Sequence, residues 1–123
     1  MICVNYNKKR IKQEDCNMLD FLKRTNQKVI HVNDMDDLLG SVELIDIREP
    51  YEYKNGSLRT AKNIPMGNLL GAPDKFLNRD KTYYIICQSG SRSARACGIL
   101  TRQGFDVVNV AGGVGSYAGA KRK

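Results

Sequence analysis

Only one histidine, His31, stands in this 123-residue chain, and its four cysteines are scattered at positions 3, 16, 87 and 97. A single imidazole cannot build a metal site. His31 also falls on an early apolar segment, far in sequence from any candidate nucleophile, and reads as a structural or surface residue. No C-x-x-C pair is present, so neither a zinc site nor a disulfide scaffold is expected. Cys3, Cys16 and Cys97 read as small buried hydrophobes, which leaves one thiol free to work in a reducing compartment. No apolar run approaches the roughly 18–20 residues that span a bilayer, and the polar start does not resemble a signal peptide. The expectation is a cytoplasmic protein without a membrane span. Internal repeats and low-complexity segments are missing too.

What remains fits one α/β domain with its own core. Formal net charge is +7, and residues 1–28 hold +4 of it. The chain divides into a basic N-terminal extension (1–27), a domain (28–118) and a basic C-terminal tail (119–123). A basic arm can bind nucleic acid, but this one lacks interleaved aromatics beyond Tyr6 and matches no reading motif, which argues against that partner. Net positive charge instead favours small anionic substrates.

Strands are predicted at 28–32, 42–47, 82–87 and 105–110 from their β-branched and apolar content, with a short extended piece at 61–65. Helices are predicted near Met18–Leu22 (capped by Asp15 or Asn17), through Asp34–Leu39 with Asn33 as cap, from Pro50, around Gly67–Gly71, and from Ser91 or Arg92 to Gln103. This alternation indicates a mainly parallel sheet, whose ligands bind at the carboxyl ends of strands.

Cys87-Gln88-Ser89-Gly90-Ser91-Arg92 lies at such an end, where a strand feeds a helix. Unpartnered N–H groups and aligned peptide dipoles favour an anion there. A cysteine so placed has its pKa lowered from about 8.5 to roughly 3.5–7.5. Gly90 lets the backbone curl, while Ser89, Ser91 and Ser93 add hydroxyl donors, so Gln88–Arg92 can form an anion-binding nest. With no histidine nearby, activation falls to the amides, the helix dipole and Arg92 or Arg95. The alternative is a Ser/Gly-rich helix cap behind a buried cysteine.

Four pieces, in order, make residues 28–118 resemble the rhodanese family: Leu44-Ile45-Asp46-Ile47-Arg48-Glu49-Pro50-Tyr51-Glu52-Tyr53; Gly56 through Ala61-Lys62-Asn63-Ile64-Pro65; Cys87–Ser93; and Gly112-Gly113-Val114. The resemblance implies a three-layer α/β fold, a sheet of about five strands flanked by helices. It implies a sulfurtransferase in which Cys87 carries sulfane sulfur as a persulfide, taken from thiosulfate or another anionic donor and passed to cyanide or a thiol, a protein sulfur-relay partner included. No cofactor or metal is implied. Gln88, Ser89, Gly90, Ser91 and Arg92 would cradle the persulfide, with Arg92 closing the loop, and Asp46 and Arg48 would shape the wall by ion pairing. The six-residue loop matches sulfurtransferases, whereas related phosphatases carry one residue more; arsenate reductase or phosphatase-like activity is the weaker enzyme reading, and a non-catalytic binding module the competing class. The chain departs from the family at Ser57, where histidine is common, at Thr60, where glycine is common, and at Tyr117, where tryptophan is frequent.

Overall fold

A computed structural model of the protein describes residues 27–123. The predicted helix near Met18–Leu22, Cys3, Cys16 and nearly all of the basic extension lie outside the described residues.

In chain order the elements are β1 (Lys28–His31), a 3-10 turn (Val32–Asp34), β2 (Glu43–Asp46), α1 (Pro50–Lys54), β3 (Lys62–Asn63), α2 (Met66–Gly71), α3 (Pro73–Phe76), β4 (Thr82–Ile86), α4 (Ser91–Arg102), β5 (Asp106–Ala111) and a 3-10 turn (Val114–Ser116). The five strands form one sheet in the order β1-β5-β4-β2-β3, and every pairing is parallel. β4 is the central strand. Its side chains alternate between the faces: Tyr83 and Ile85 join Ile45, Val107, Ala96, Cys97 and Leu100 on the α4 side, and Ile86 joins Leu44, Val110, Met35, Leu58 and Tyr117 on the other. Parallel strands covered on both faces need such near-continuous apolar runs.

One predicted helix is replaced by turns. Residues 34–39 are held by short-range bonds, Met35 N–H to the Val32 carbonyl and Leu38 and Leu39 N–H to the Met35 carbonyl. The capping acceptor is the His31 ring, whose Nδ1 takes the Asn33 N–H. Asn33 is spent on a tertiary tie instead, its amide donating to the Ser116 carbonyl and accepting the Ala118 N–H at 2.7 Å. Burial of Val32 and Met35, both fully enclosed, together with that tie, outweighs the weak helix propensity of a segment with three aspartates.

The basic C-terminal segment is docked on the domain. Arg122 bridges antiparallel to Leu58, Lys123 N–H donates to the Ser57 carbonyl, and Arg59 N–H donates to that of Lys121. Leu58 and Ala61 are both buried, and the turn between them forces exposed Thr60 to φ +70°. A β-branched residue there is strained by about 1–2 kcal/mol, and glycine removes that strain while adding unfolded-chain entropy that offsets part of the gain. Thr60→Gly is therefore expected to stabilise the fold by about 0.5–1 kcal/mol. Urea unfolding checks this, and a lower midpoint would contradict it.

Candidate active site

β4 hands the chain to the site. Cys87 follows its last residue and is wholly enclosed, packed with Ala96, Cys97 and Leu100. Val114 N–H holds the Cys87 carbonyl at 2.9 Å, and Gly115 N–H holds that of Gln88 at 2.9 Å. The turn at Gly113 (φ +65°) lies so close that a Cβ there would collide with both carbonyl oxygens. Gly90 adopts φ +102° as the N-cap of α4, and a Cβ on it would meet Gly112 N at 3.0 Å. The glycines at both sites thus let two backbone segments touch.

The loop curls its donors inward. Gly90 N–H points at Cys87 Sγ at 3.1 Å, Ser93 N–H at 3.3 Å, and the Ser93 hydroxyl lies 3.4 Å away. Burial works most strongly against charge on this sulfur, yet the Ser93 hydroxyl and the amides of Ser93, Gly90 and Ser89 together hold the thiol below its ordinary pKa. Ser89 and Ser91 are exposed, their hydroxyls 3.3 Å apart.

Arg92 turns elsewhere. Both of its terminal nitrogens bind the Glu52 carboxylate, each at 2.9 Å, a bidentate fork that fastens α1 to the start of α4. It makes no hydrogen bond to the sulfur among the described contacts. Arg95 is exposed. Glu52 also receives the Glu49 N–H as part of a capping box, and chiefly the Arg92 bond lowers its pKa to about 2.

Asp46 and Arg48 form a buried pair. Arg48 Nε lies 3.0 and 3.1 Å from the Asp46 carboxylate oxygens and one terminal nitrogen 2.8 Å from Oδ2. The remaining donors reach the Gly56 carbonyl at 2.7 Å and Gln88 Oε1 at 3.0 Å. Arg48 therefore ties β2, the 56–61 segment and the first loop residue together. Ser57 completes the pair, its hydroxyl donating to Asp46 Oδ2 at 2.7 Å. At this departure from the family pattern, where histidine is common, a hydroxyl satisfies the buried carboxylate.

His31 is exposed at the carboxyl end of β1 beside Gly112, two strands from β4. Cys97 is a buried free thiol, pushed up to about 12 first by burial and then by the charge of Cys87. Among the described residues no group of His, Cys, Asp and Glu is arranged to hold a metal ion, and no helix is long and apolar enough to cross a membrane. Sequence reasoning missed Glu52 and Asn109. The spacing Glu49-x-x-Glu52 was a capping signal, and Asn109 is a polar residue set among valines, its amide 2.6 Å from the Ser93 hydroxyl.

The Rhodanese-like domain family model matches residues 31–120. YtwF of Bacillus subtilis (strain 168) is 44% identical over 78 residues, 62% of this chain and 73% of that protein. The Sulfurtransferase of Allochromatium vinosum is 36% identical over 86 residues, 69% of this chain and 76% of that one. The crystal structure of a Rhodanese-like Domain Protein from Staphylococcus aureus superposes with a TM-score of 0.69 at 32% identity, covering 79% of this chain and 97% of that chain. The chain belongs to the rhodanese-like domain family, with sulfurtransferases among its relatives.

The Glu52–Arg92 fork carries a pH signature. A carboxylate whose pKa is depressed on folding contributes stability that is complete above the unfolded value, near 4.5, and lost as pH falls toward about 2. Wild type is expected to have a higher urea midpoint than Glu52→Gln at pH 6, and the gap is expected to close by pH ~2. A gap independent of pH would contradict the assignment.

Proposed function

We propose that the protein is a sulfurtransferase that carries sulfane sulfur as a persulfide on Cys87. The observation that carries this reading is an enclosed sulfur faced by main-chain donors and one hydroxyl, with no imidazole against it among the described contacts. Such a site stabilises a standing anion and has no evident proton shuttle, which suits transfer of a sulfur atom between anionic partners.

The step balances without an oxidant. The Cys87 thiolate attacks the outer sulfur of thiosulfate; a Cys87 S–S bond forms, the donor S–S bond breaks, and its electron pair leaves with sulfite. Cyanide or an acceptor thiolate then attacks the outer persulfide sulfur, and the electron pair of the cleaved bond returns to Sγ. The inward amides of Gly90 and Ser93 and the hydroxyl of Ser93 hold the charge on Sγ before sulfur is loaded and after it is released. Gln88 and Ser91 complete the cradle, and Arg92 opposes negative charge from a distance while it braces the loop. Asp46 and Arg48 fix the wall.

Sulfur chemistry is favoured over phosphoryl transfer by the position of Arg92. Its terminal nitrogens are committed to Glu52, and the loop from Cys87 to Arg92 has six residues. The enzyme reading also includes relay to a protein thiol.

Incubation with thiosulfate is expected to add the mass of one sulfur atom at Cys87, released by cyanide as thiocyanate. Cys87→Ser is expected to show neither. Intact and peptide mass measurement decides it; an unmodified wild-type Cys87 after exposure to thiosulfate and to persulfide donors would overturn the proposal.

A further inference from the structure

Asn109 has no place in the cycle above, yet it is nearly enclosed, with 5% of its surface exposed, among Val107, Val108 and Val110. Its Oδ1 stands 2.6 Å from Ser93 Oγ. Ser93 is itself fully enclosed, and its Oγ lies 3.1 Å from the Gly90 carbonyl and 3.4 Å from Cys87 Sγ. A buried polar side chain in the middle of a strand costs stability unless it is hydrogen-bonded. Here the partner is a group that touches the nucleophile.

A hydroxyl has one proton to give and lone pairs to receive. While Cys87 is protonated, its S–H can donate to Ser93 Oγ, and the Ser93 O–H donates to Asn109 Oδ1. Once the sulfur is an anion it can only accept, and the Ser93 hydroxyl, which also has the Gly90 carbonyl 3.1 Å away, can turn its proton toward it. Ser93 Oγ and Asn109 Oδ1 would then face each other as two acceptors at 2.6 Å. A carboxamide resolves this by half a turn about its terminal bond, which replaces the oxygen with an N–H donor of nearly the same shape. A carboxylate or an apolar side chain cannot serve both states.

We propose that Asn109 is a positioning residue that acts through Ser93, its amide presenting oxygen when Cys87 is a thiol and nitrogen when Cys87 is an anion. The proposal rests on Cys87 working as an anionic nucleophile. Charges on neighbouring elements do not replace this relay: Arg92 of α4 is paired with Glu52 of α1, Arg48 with Asp46 of β2, and Cys97 of α4 is a buried thiol.

The test is the pH dependence of Cys87 alkylation in the full chain, followed at that peptide by mass, for wild type, Ser93→Ala, Asn109→Val and the double variant. Valine suits this strand, and Asn109→Ala is a second variant should valine overfill the site. Each single change is expected to reduce the thiolate fraction about tenfold at a pH below the midpoint, and Asn109→Val is expected to add nothing once Ser93 is alanine. Ser93→Thr, which keeps the hydroxyl, is expected to behave as wild type. An Asn109 variant with the wild-type profile, or one whose effect adds in full to that of Ser93→Ala, would overturn the proposal. Failure to load sulfur while the Ser93–Asn109 coupling persists would overturn the sulfurtransferase reading alone.

Discussion

A charge on the sulfur of Cys87 is opposed by burial and held by the chain itself. Taking a thiolate out of water raises its energy steeply, and the donors that answer it are the amides of Gly90 and Ser93 and the Ser93 hydroxyl. These donors point inward because Gly90 takes a left-handed conformation and starts α4 there. The turn from Gly112 to Gly115 then grips the Cys87 and Gln88 carbonyls, so the opposite edge of the loop cannot relax. Backbone groups in such a frame reorganise little, and preorganised donors in an enclosed site are worth more than the same donors in water.

Around this frame the charged side chains serve as braces. Arg48 spends its donors on Asp46, Gly56 and Gln88, and Arg92 spends its terminal ones on Glu52. Both guanidiniums thereby fix the loop, Arg48 by holding Gln88 and Arg92 by anchoring the loop's last residue to α1. A buried ion pair is weak evidence of net stability. What these pairs contribute is geometry, tying β2, α1 and the 56–61 segment to one loop.

Much of this was legible in the residues. The valines of β5, the apolar run of β4 and the Ser/Gly junction after it set out the parallel sheet and the place of Cys87. The proline at position 50 marked a helix start that the structure keeps. The acidic stretch after β1 was not readable as turns, because its geometry depends on Asn33 reaching Ser116 and Ala118, more than 80 residues away. Arg92 is expected to close the loop and offset negative charge, and nothing local announces that Glu52, 40 residues earlier, claims its terminal nitrogens. Asn109, a polar residue among valines, likewise has its partner, Ser93, on another element. Side-chain partners set by tertiary contact were the illegible part; periodicity and backbone chemistry were not.

The account stands on amides that favour an anionic Cys87, and a titration of thiolate ultraviolet absorbance, taken as the difference between wild type and Cys87→Ser, reads that preference directly. A midpoint below the ordinary cysteine value of about 8.5 is the predicted result. A midpoint at or above that value would show that burial prevails over the inward amides, and would contradict the account.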